Sequence, residues 1–493
     1  MPTGGGVILL NNLILLMIPD THKKTKKNLK NLNQSIMKKV YILFILSALF
    51  LVSCKQPEQP KQTIDLKTDI VAQKPPMGWN SYDCFGATVT EQEVMANAQM
   101  MAVHLKEAGW EYIIIDFLWF YPFPGAMHSP YQTKNFTPNF RLDENARLLP
   151  ALDRFPGSRD GAGFKPLADY VHSLGLKFGI HVMRGVPREA AAKKLSIGFE
   201  NITADMIAEY SDTCNWSNSM YGVDVTKPGA QEYYNNLYKL YASWGIDYVK
   251  VDDIWRHMDE IGLVRNAIDN CGRNMVFSVS AGDSVQIKNA EFLKTKANMW
   301  RISGDFWDRW ADLKGQFALC HLWEKYIGPG HWPDADMIPI GMIARRGPEG
   351  KPEHRSLYTW EEKKTLFSLW AIFRSPLMYG GDLTLIERPE LEILTNKGML
   401  EVNQNSEHNR QLFRKDDKVA WIADVPGTEN KYLALFNLGE VGTEIEVDFC
   451  EMGIKSECRF LDLWKGIDLG SYSGSFKQKI VPHGSGLYKV NAL

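Results

Sequence analysis

Residues 226–254 read TKPGAQEYYNNLYKLYASWGIDYVKVDDI. A helix opens near Thr226 and Pro228, since proline is tolerated in a first turn. Tyr234, Leu237, Tyr241 and Trp244 then recur at spacings of three and four, marking one apolar face. Gly245 stands where a left-handed residue ends a helix. Three residues later comes the run Tyr248–Ile254, apolar enough to be buried on both faces. Helix, glycine stop and buried strand together make the rhythm of a parallel βα unit.

Working outward, the same rhythm recurs from about Pro75 to Asp382. The predicted strands are 77–82, 112–119, 177–184, 248–254, 275–280, 299–305, 331–337 and 376–382. Another helix is announced by the capping box Thr90-Glu91-Gln92-Glu93, by Val94, Ala98, Met101, Leu105 and Ala108, and by a stop at Gly109. Eight such units favour a closed (β/α)8 TIM barrel over an open doubly wound sheet. No GxGxxG follows the first strand, which weakens a dinucleotide-binding reading further. From about Gln404 helical periodicity gives way to short alternating runs at 419–423, 432–437, 443–449 and 487–490, with Gly, Asn and Asp between them. This predicts a small C-terminal antiparallel β-sandwich domain. The domain reading is a barrel over 75–403 and a sandwich over 404–493.

The N-terminal part reads differently. Residues 37–54, MKKVYILFILSALFLVSC, have a basic start, a short apolar run and a Leu-Val-Ser-Cys ending. This resembles a bacterial lipoprotein signal, which implies cleavage before Cys54, lipidation of its thiol, and an exported protein held to a membrane by lipid alone. Residues 1–36 carry no recognisable element, and Met37 is the expected start. Residues 55–74 read as a linker. Six further cysteines include no CxxC pair, so a zinc ribbon is not indicated; Cys450 and Cys458 are close enough in sequence to bridge a hairpin. The chain has 493 residues, 15 tryptophans and a net charge of -2, which gives no electrostatic case for nucleic acid.

Barrel sites are built at the C-terminal ends of the strands. That rule selects Asp116, Phe117 and Trp119; His181 and Arg184; Lys250, Asp252 and Asp253; Arg301 and Asp305; and His331, Trp332, Asp334 and Asp336. Carboxylates and aromatics thus gather on one rim with flanking cations. Two such carboxylates suit glycosidic bond cleavage, one ionised to attack and one protonated to donate. Lys250 and Asp252 are two residues apart and share a strand face, so the ammonium would keep Asp252 ionised. Trp300, Phe306 and Trp307 are expected to desolvate Asp305 and raise its pKa. Alternation turns Asp253 to the other face, and Asp308 lies beyond the strand end. Isolated His181 and His331 read as hydrogen-bonding groups rather than metal ligands.

Four stretches resemble glycoside hydrolase family 27, the α-galactosidase and α-N-acetylgalactosaminidase family. They are Pro75-Pro76-Met77-Gly78-Trp79-Asn80-Ser81, Tyr248-Val249-Lys250-Val251-Asp252, Trp300-Arg301 with Asp305, and residues 328–337, GPGHWPDADM. The resemblance implies a retaining, cofactor-free and metal-free hydrolase of glycan substrates. Asp252 would be the nucleophile and Asp305 the acid/base, while Lys250, Arg301 and Asp336 hold hydroxyls. The whole expected substrate-binding set is Trp79, Asp116, Phe117, His181, Lys250, Ser280, Arg301, Trp332 and Asp336. Some positions depart from the family. Phe117 replaces the second of two paired carboxylates, His181 replaces a tyrosine, and the small stretch from Ser280 replaces a bulkier loop and leaves room for a 2-acetamido group. Terminal α-galactosides or closely related linkages are therefore expected, with α-N-acetylgalactosaminidase and β-L-arabinopyranosidase activity as alternatives. A non-catalytic sugar-binding lipoprotein and a metal-dependent amidohydrolase are readings of other classes. The long connection from Arg184 to Gly222 places Trp216 as a candidate sugar-subsite residue.

Overall fold

The computed structural model describes residues 71–122, 140–346 and 352–493. The expected signal segment, Cys54 and most of the linker lie outside them.

All eight expected strands form, each shorter than its apolar run. They are β1 (Met77–Asn80), β2 (Tyr112–Ile115), β3 (Lys177–Met183), β4 (Tyr248–Asp252), β5 (Val276–Val279), β6 (Met299–Arg301), β7 (Trp332–Asp334) and β8 (Leu377–Tyr379). Every pairing is parallel, in the order β7-β6-β5-β4-β3-β2-β1-β8. β7 and β8 do not pair directly. The ring closes one turn later, through a bridge from Ile338 to Tyr379. There the Ile338 amide donates to Met378 O at 2.7 Å and the Gly380 amide donates to Ile338 O at 3.0 Å.

Strand alternation divides the core. Tyr112, Tyr248, Val276, Met299 and Trp332 fill the inside of the barrel at its N-terminal end. Ile113, Ile115, Val249, Val251, Phe277 and Trp300 face the helical layer. The helices include α1 (Glu91–His104), α2 (Lys165–Ser173), α3 (Ala230–Trp244), α4 (Met258–Asp269), α5 (Ala290–Lys296), α6 (Trp310–Trp323) and α7 (Trp360–Phe373). The capping box of α1 is present, with the Thr90 amide donating to Glu93 Oε2 at 2.9 Å. The helix leaves α geometry at Leu105, and a short 3-10 turn carries the chain to Gly109 at φ 95°. Gly245 ends α3 at φ 84°, as its place in the sequence predicts.

Beyond Asn405 the chain forms antiparallel strands β9 (Glu407–Lys415), β10 (Lys418–Asp424), β11 (Lys431–Asn437), β12 (Thr443–Asp448), β13 (Cys458–Asp462), β14 (Ile467–Tyr472), β15 (Ser475–Ile480) and β16 (Ser485–Ala492). Six of them pair as β9-β10-β11-β16-β13-β14, and β12 pairs with β15. In β10, Ala420 and Ile422 face the sandwich core, whereas Val419, Trp421 and Ala423 join the barrel core. Polar contacts reinforce that joint: Trp464 Nε1 donates to Ser368 Oγ on α7 at 2.9 Å, and Thr365 Oγ1 donates to His483 O at 2.7 Å. Cys450 and Cys458 are free thiols.

Candidate active site

The strands stop early, so the chemistry-bearing residues sit at or just past their ends. A cavity of about 380 Å³ opens there. Its floor and walls bring together Asp116, Phe117, His181, Lys250, Asp252, Arg301, Asp305 and Asp336, residues drawn from five strands. Trp216 also lines it, as the length of its connection suggests.

Asp116 is buried and accepts from Asn80 Nδ2 at 2.8 Å and from Lys250 Nζ at 2.9 Å. Burial alone would raise its pKa, but Lys250, His181 and Asn80 outweigh burial and hold it below the usual range. Asp252 lies one turn of the alternation beyond Lys250. Its Oδ2 is 3.2 Å from His181 Nε2, and its Oδ1 accepts the Asp253 amide at 2.8 Å. Burial opposes ionisation here too, and the His181 contact is the main force against it, with Lys250 second. The net effect holds Asp252 well below an ordinary carboxylate. This amends the expectation from spacing: Lys250 spends its ion pair on Asp116, and the imidazole across β3 does most of the work on Asp252.

Arg301 bridges two acids, with Nη2 2.8 Å from Asp336 Oδ2 and 3.2 Å from Asp305 Oδ1. Asp336 adopts φ 89°, and its carboxylate also accepts the amides of Phe306 and Met337 at 2.8 and 2.7 Å. The Asp305 side chain is 63% exposed. The expected desolvation by Trp300, Phe306 and Trp307 is therefore not present: Trp300 faces the helical layer, and the other two line the pocket beside Asp305 without covering it.

Three expected contacts are corrected. Trp79 points out of the barrel, fully buried, with Nε1 donating to Gly381 O at 2.8 Å. Trp332 lies in the lower interior layer and donates to Ala72 O. Ser280 is buried behind the wall, and its neighbour Ala281 reaches the cavity. In place of these the structure supplies Tyr82, Asp83 and Met337. Tyr82 and Asp83 belong to a short helix, Tyr82–Phe85, that begins after β1 ends. The two-residue period stops there, so strand alternation carried no signal for them.

Asp253 turns away from the pocket at φ 58°. It joins Asp212 and Glu260 around the Arg184 guanidinium, with His257 at the edge. Asp212, Glu260 and His257 lie close enough to hold a cation, and Arg184 already occupies that role.

The chain matches two families in sequence: alpha galactosidase A over residues 216–405, and the alpha galactosidase C-terminal beta sandwich domain over 415–490. It is 31% identical to alpha-galactosidase A of Cellvibrio japonicus across 391 residues, 75% of this chain and 77% of that one. The chain belongs to glycoside hydrolase family 27. Its fold superimposes on a family 27 β-L-arabinopyranosidase from Geobacillus stearothermophilus with a TM-score of 0.82 and 44% identity, covering 86% of this chain and 98% of that one. A protein of Bacillus halodurans C-125, described as a candidate α-N-acetylgalactosaminidase, gives 0.76 and 44%, covering 85% and 97%. As a member of family 27 the protein is a glycoside hydrolase, and the eight-stranded barrel with its β-sandwich is the fold of that family.

Proposed function

We propose that the protein is a retaining glycosidase that prefers terminal β-L-arabinopyranosides, with Asp252 as nucleophile and Asp305 as acid/base. Asp252, enclosed and held ionised, attacks the anomeric carbon as the glycosidic bond breaks. Asp305, at the mouth where a leaving group departs, gives its proton to the departing oxygen. Water then displaces Asp252 from the anomeric carbon, and Asp305, now a carboxylate, takes a proton from that water as it attacks. A bound aglycone would cover the exposed side of Asp305 and desolvate it. Lys250, Arg301, Asp116 and Asp336 hold the sugar hydroxyls.

Sugar preference rests on one observation. Phe117 stands beside Asp116 with its ring edge-on to His181 at 5.6 Å and to Trp216 at 5.5 Å. This is an apolar wall. β-L-Arabinopyranose has the ring hydroxyl arrangement of α-D-galactopyranose and lacks the hydroxymethyl group. A hydroxymethyl against Phe117 would lose its water and gain no partner. The structural likeness to a β-L-arabinopyranosidase at 44% identity agrees with this reading. The test is a panel of aryl β-L-arabinopyranoside, α-D-galactoside and α-N-acetylgalactosaminide. The arabinoside should give the highest kcat/KM, and Phe117→Asp should move the ratio toward the galactoside by roughly 100-fold, the scale on which pockets read a hydroxyl. A wild-type preference for either of the other two sugars would sink the assignment, and acetylgalactosaminide turnover would point to the space at Ala281.

The sequence of residues 37–54 supports a second proposal, that the mature chain starts at lipidated Cys54 and is exported in a bacterium, tethered to a membrane by that lipid. Labelled palmitate should enter the wild-type protein and be absent from Cys54→Ser; equal labelling would overturn it.

A further inference from the structure

Asp83 is the one pocket carboxylate with no cation or amide assigned to it above. The residue is 1% exposed, and its Oδ2 has no hydrogen-bond partner among the described residues. The back of the carboxyl group is sealed by Gly380, where a β-carbon would fall 2.0 Å from Oδ2. The glycine makes room for the acid and for nothing else. The two pocket cations are already committed, Lys250 to Asp116 at 2.9 Å and Arg301 to Asp336 and Asp305. An ionised Asp83 would thus be a buried, unpaired anion next to other buried acids, which is the costliest state open to it. Burial raises its pKa well above the usual range; Asp336 and Asp116 add to the rise and Lys250 opposes it. A carboxyl group kept neutral in an apolar cradle is a hydrogen-bond donor, and such groups are used to hold oxygen atoms of bound molecules.

We infer that Asp83 is a further sugar-reading residue, donating from its carboxyl group to a hydroxyl oxygen of the bound pyranose. It acts from the wall built after β1 and β8, which stands across the ring from β4 and Asp252. The inference rests on the glycosidase reading of this pocket. It adds a neutral carboxyl donor beside the cations Lys250 and Arg301.

The probes are 4-nitrophenyl β-L-arabinopyranoside and its 2-, 3- and 4-deoxy analogues. Asp83→Leu, which keeps the branched shape and carries no donor, should lower kcat/KM on the parent by roughly 10- to 100-fold, mostly through KM, as expected for a lost buried hydrogen bond. On one deoxy analogue the loss should vanish, because the accepting oxygen is already gone. Asp83→Asn, whose amide still donates, should stay within about threefold of wild type. Three results would overturn the inference: an Asp83→Leu variant equal to wild type, an equal loss on the parent and all three analogues, or an asparagine variant as impaired as the leucine one. Infrared difference spectra on addition of arabinose give a readout that does not need the leucine variant to fold. A carboxylic C=O stretch present in wild type, absent in Asp83→Asn and shifted by the sugar is expected; no such band, or one that arabinose leaves unmoved, would refute donation. A wild-type enzyme inert toward every sugar of the aryl glycoside panel would instead remove the glycosidase reading beneath it.

Discussion

Asp252 and Asp253 are neighbours in the chain and enter two different acid clusters, one on each side of the end of β4. On the pocket side, Asp116, Asp252, Asp305 and Asp336 are met by Lys250, Arg301 and His181, and some of their carboxylate oxygens still border the cavity. On the far side, one guanidinium satisfies three acids. Arg184 Nη1 and Nη2 reach Asp212 Oδ2 and Oδ1 at 2.9 and 2.6 Å, Nη1 reaches Glu260 Oε1 at 2.9 Å, and Nη2 lies 3.3 Å from Asp253 Oδ2. Arg184 Nε also donates to Asp253 O at 2.7 Å, and Tyr234 Oη donates to Glu260 Oε2. The same residue types thus serve two ends. A cluster whose acids converge on one guanidinium is structural, whereas one that leaves carboxylate oxygens facing a cavity can bind and react.

That contrast can be broken most forcefully at Asp252. Asp252→Asn should lower kcat by about 10⁴-fold or more, as removal of a nucleophile does elsewhere, while the unfolding temperature stays near that of wild type. Azide should restore turnover and give a product of inverted anomeric configuration. Retained activity in this variant would show that the pocket-side cluster is not the reactive one.

Arg184→Met should do the reverse. Leaving buried Glu260 and half-buried Asp212 without their cation should cost about 3–5 kcal/mol of stability, seen as a lower denaturant midpoint. The effect on kcat of the folded fraction should be small beside that of Asp252→Asn. An unchanged midpoint would mean that the far-side network is dispensable.

The smallest and sharpest effect belongs to Asp253. Burial pushes its carboxyl up to about 6 against the pull of Arg184, with Asp252 and Asp212 adding to the rise. The folded state therefore holds this proton more tightly than the unfolded chain does. Its contribution to stability is full below the ordinary value of 3.8 and is lost as pH climbs through about 6. Asp253→Asn, permanently neutral, should gain unfolding temperature relative to wild type as pH rises from 4 to 7. A difference that stays flat across that range would contradict the raised pKa.

Much of this was legible in the sequence because a parallel strand writes its orientation into every second residue. Lys250 and Asp252 face in and Val249 and Val251 face out, while Asp253, one residue past the strand end at φ 58°, leaves the pocket through a left-handed turn, to the side alternation predicts. The sandwich was legible for the same reason, although four of its strands, β9 and β13–β15, are too exposed or too irregular to stand out as apolar runs. Trp79 misled because its place in a recognisable stretch spoke louder than its phase: it shares a face with Met77, on the helical side. Trp332 has the right phase and the wrong height, being at the start of its strand rather than its end. Ser280 misses by one residue, and Ala281 takes its place. The largest omission, Asp83, sits in a helical turn where neither period applies. Only the fold, by bringing Gly380 behind it, gives that residue a meaning.

Seven of the eight junctions in the barrel are ladders between strands, and the eighth is a two-bond latch at Ile338. Regions held by few backbone hydrogen bonds are the ones expected to open first, so the Ile338 and Gly380 amides are predicted to exchange with solvent deuterium sooner than those of the seven ladders. Asp336 and Met337 lie on one lip of that latch, and Gly380, with Asp83 pressed against it, lies on the other. The pocket thus spans this junction, and a pyranose bound across it would tie the two lips together.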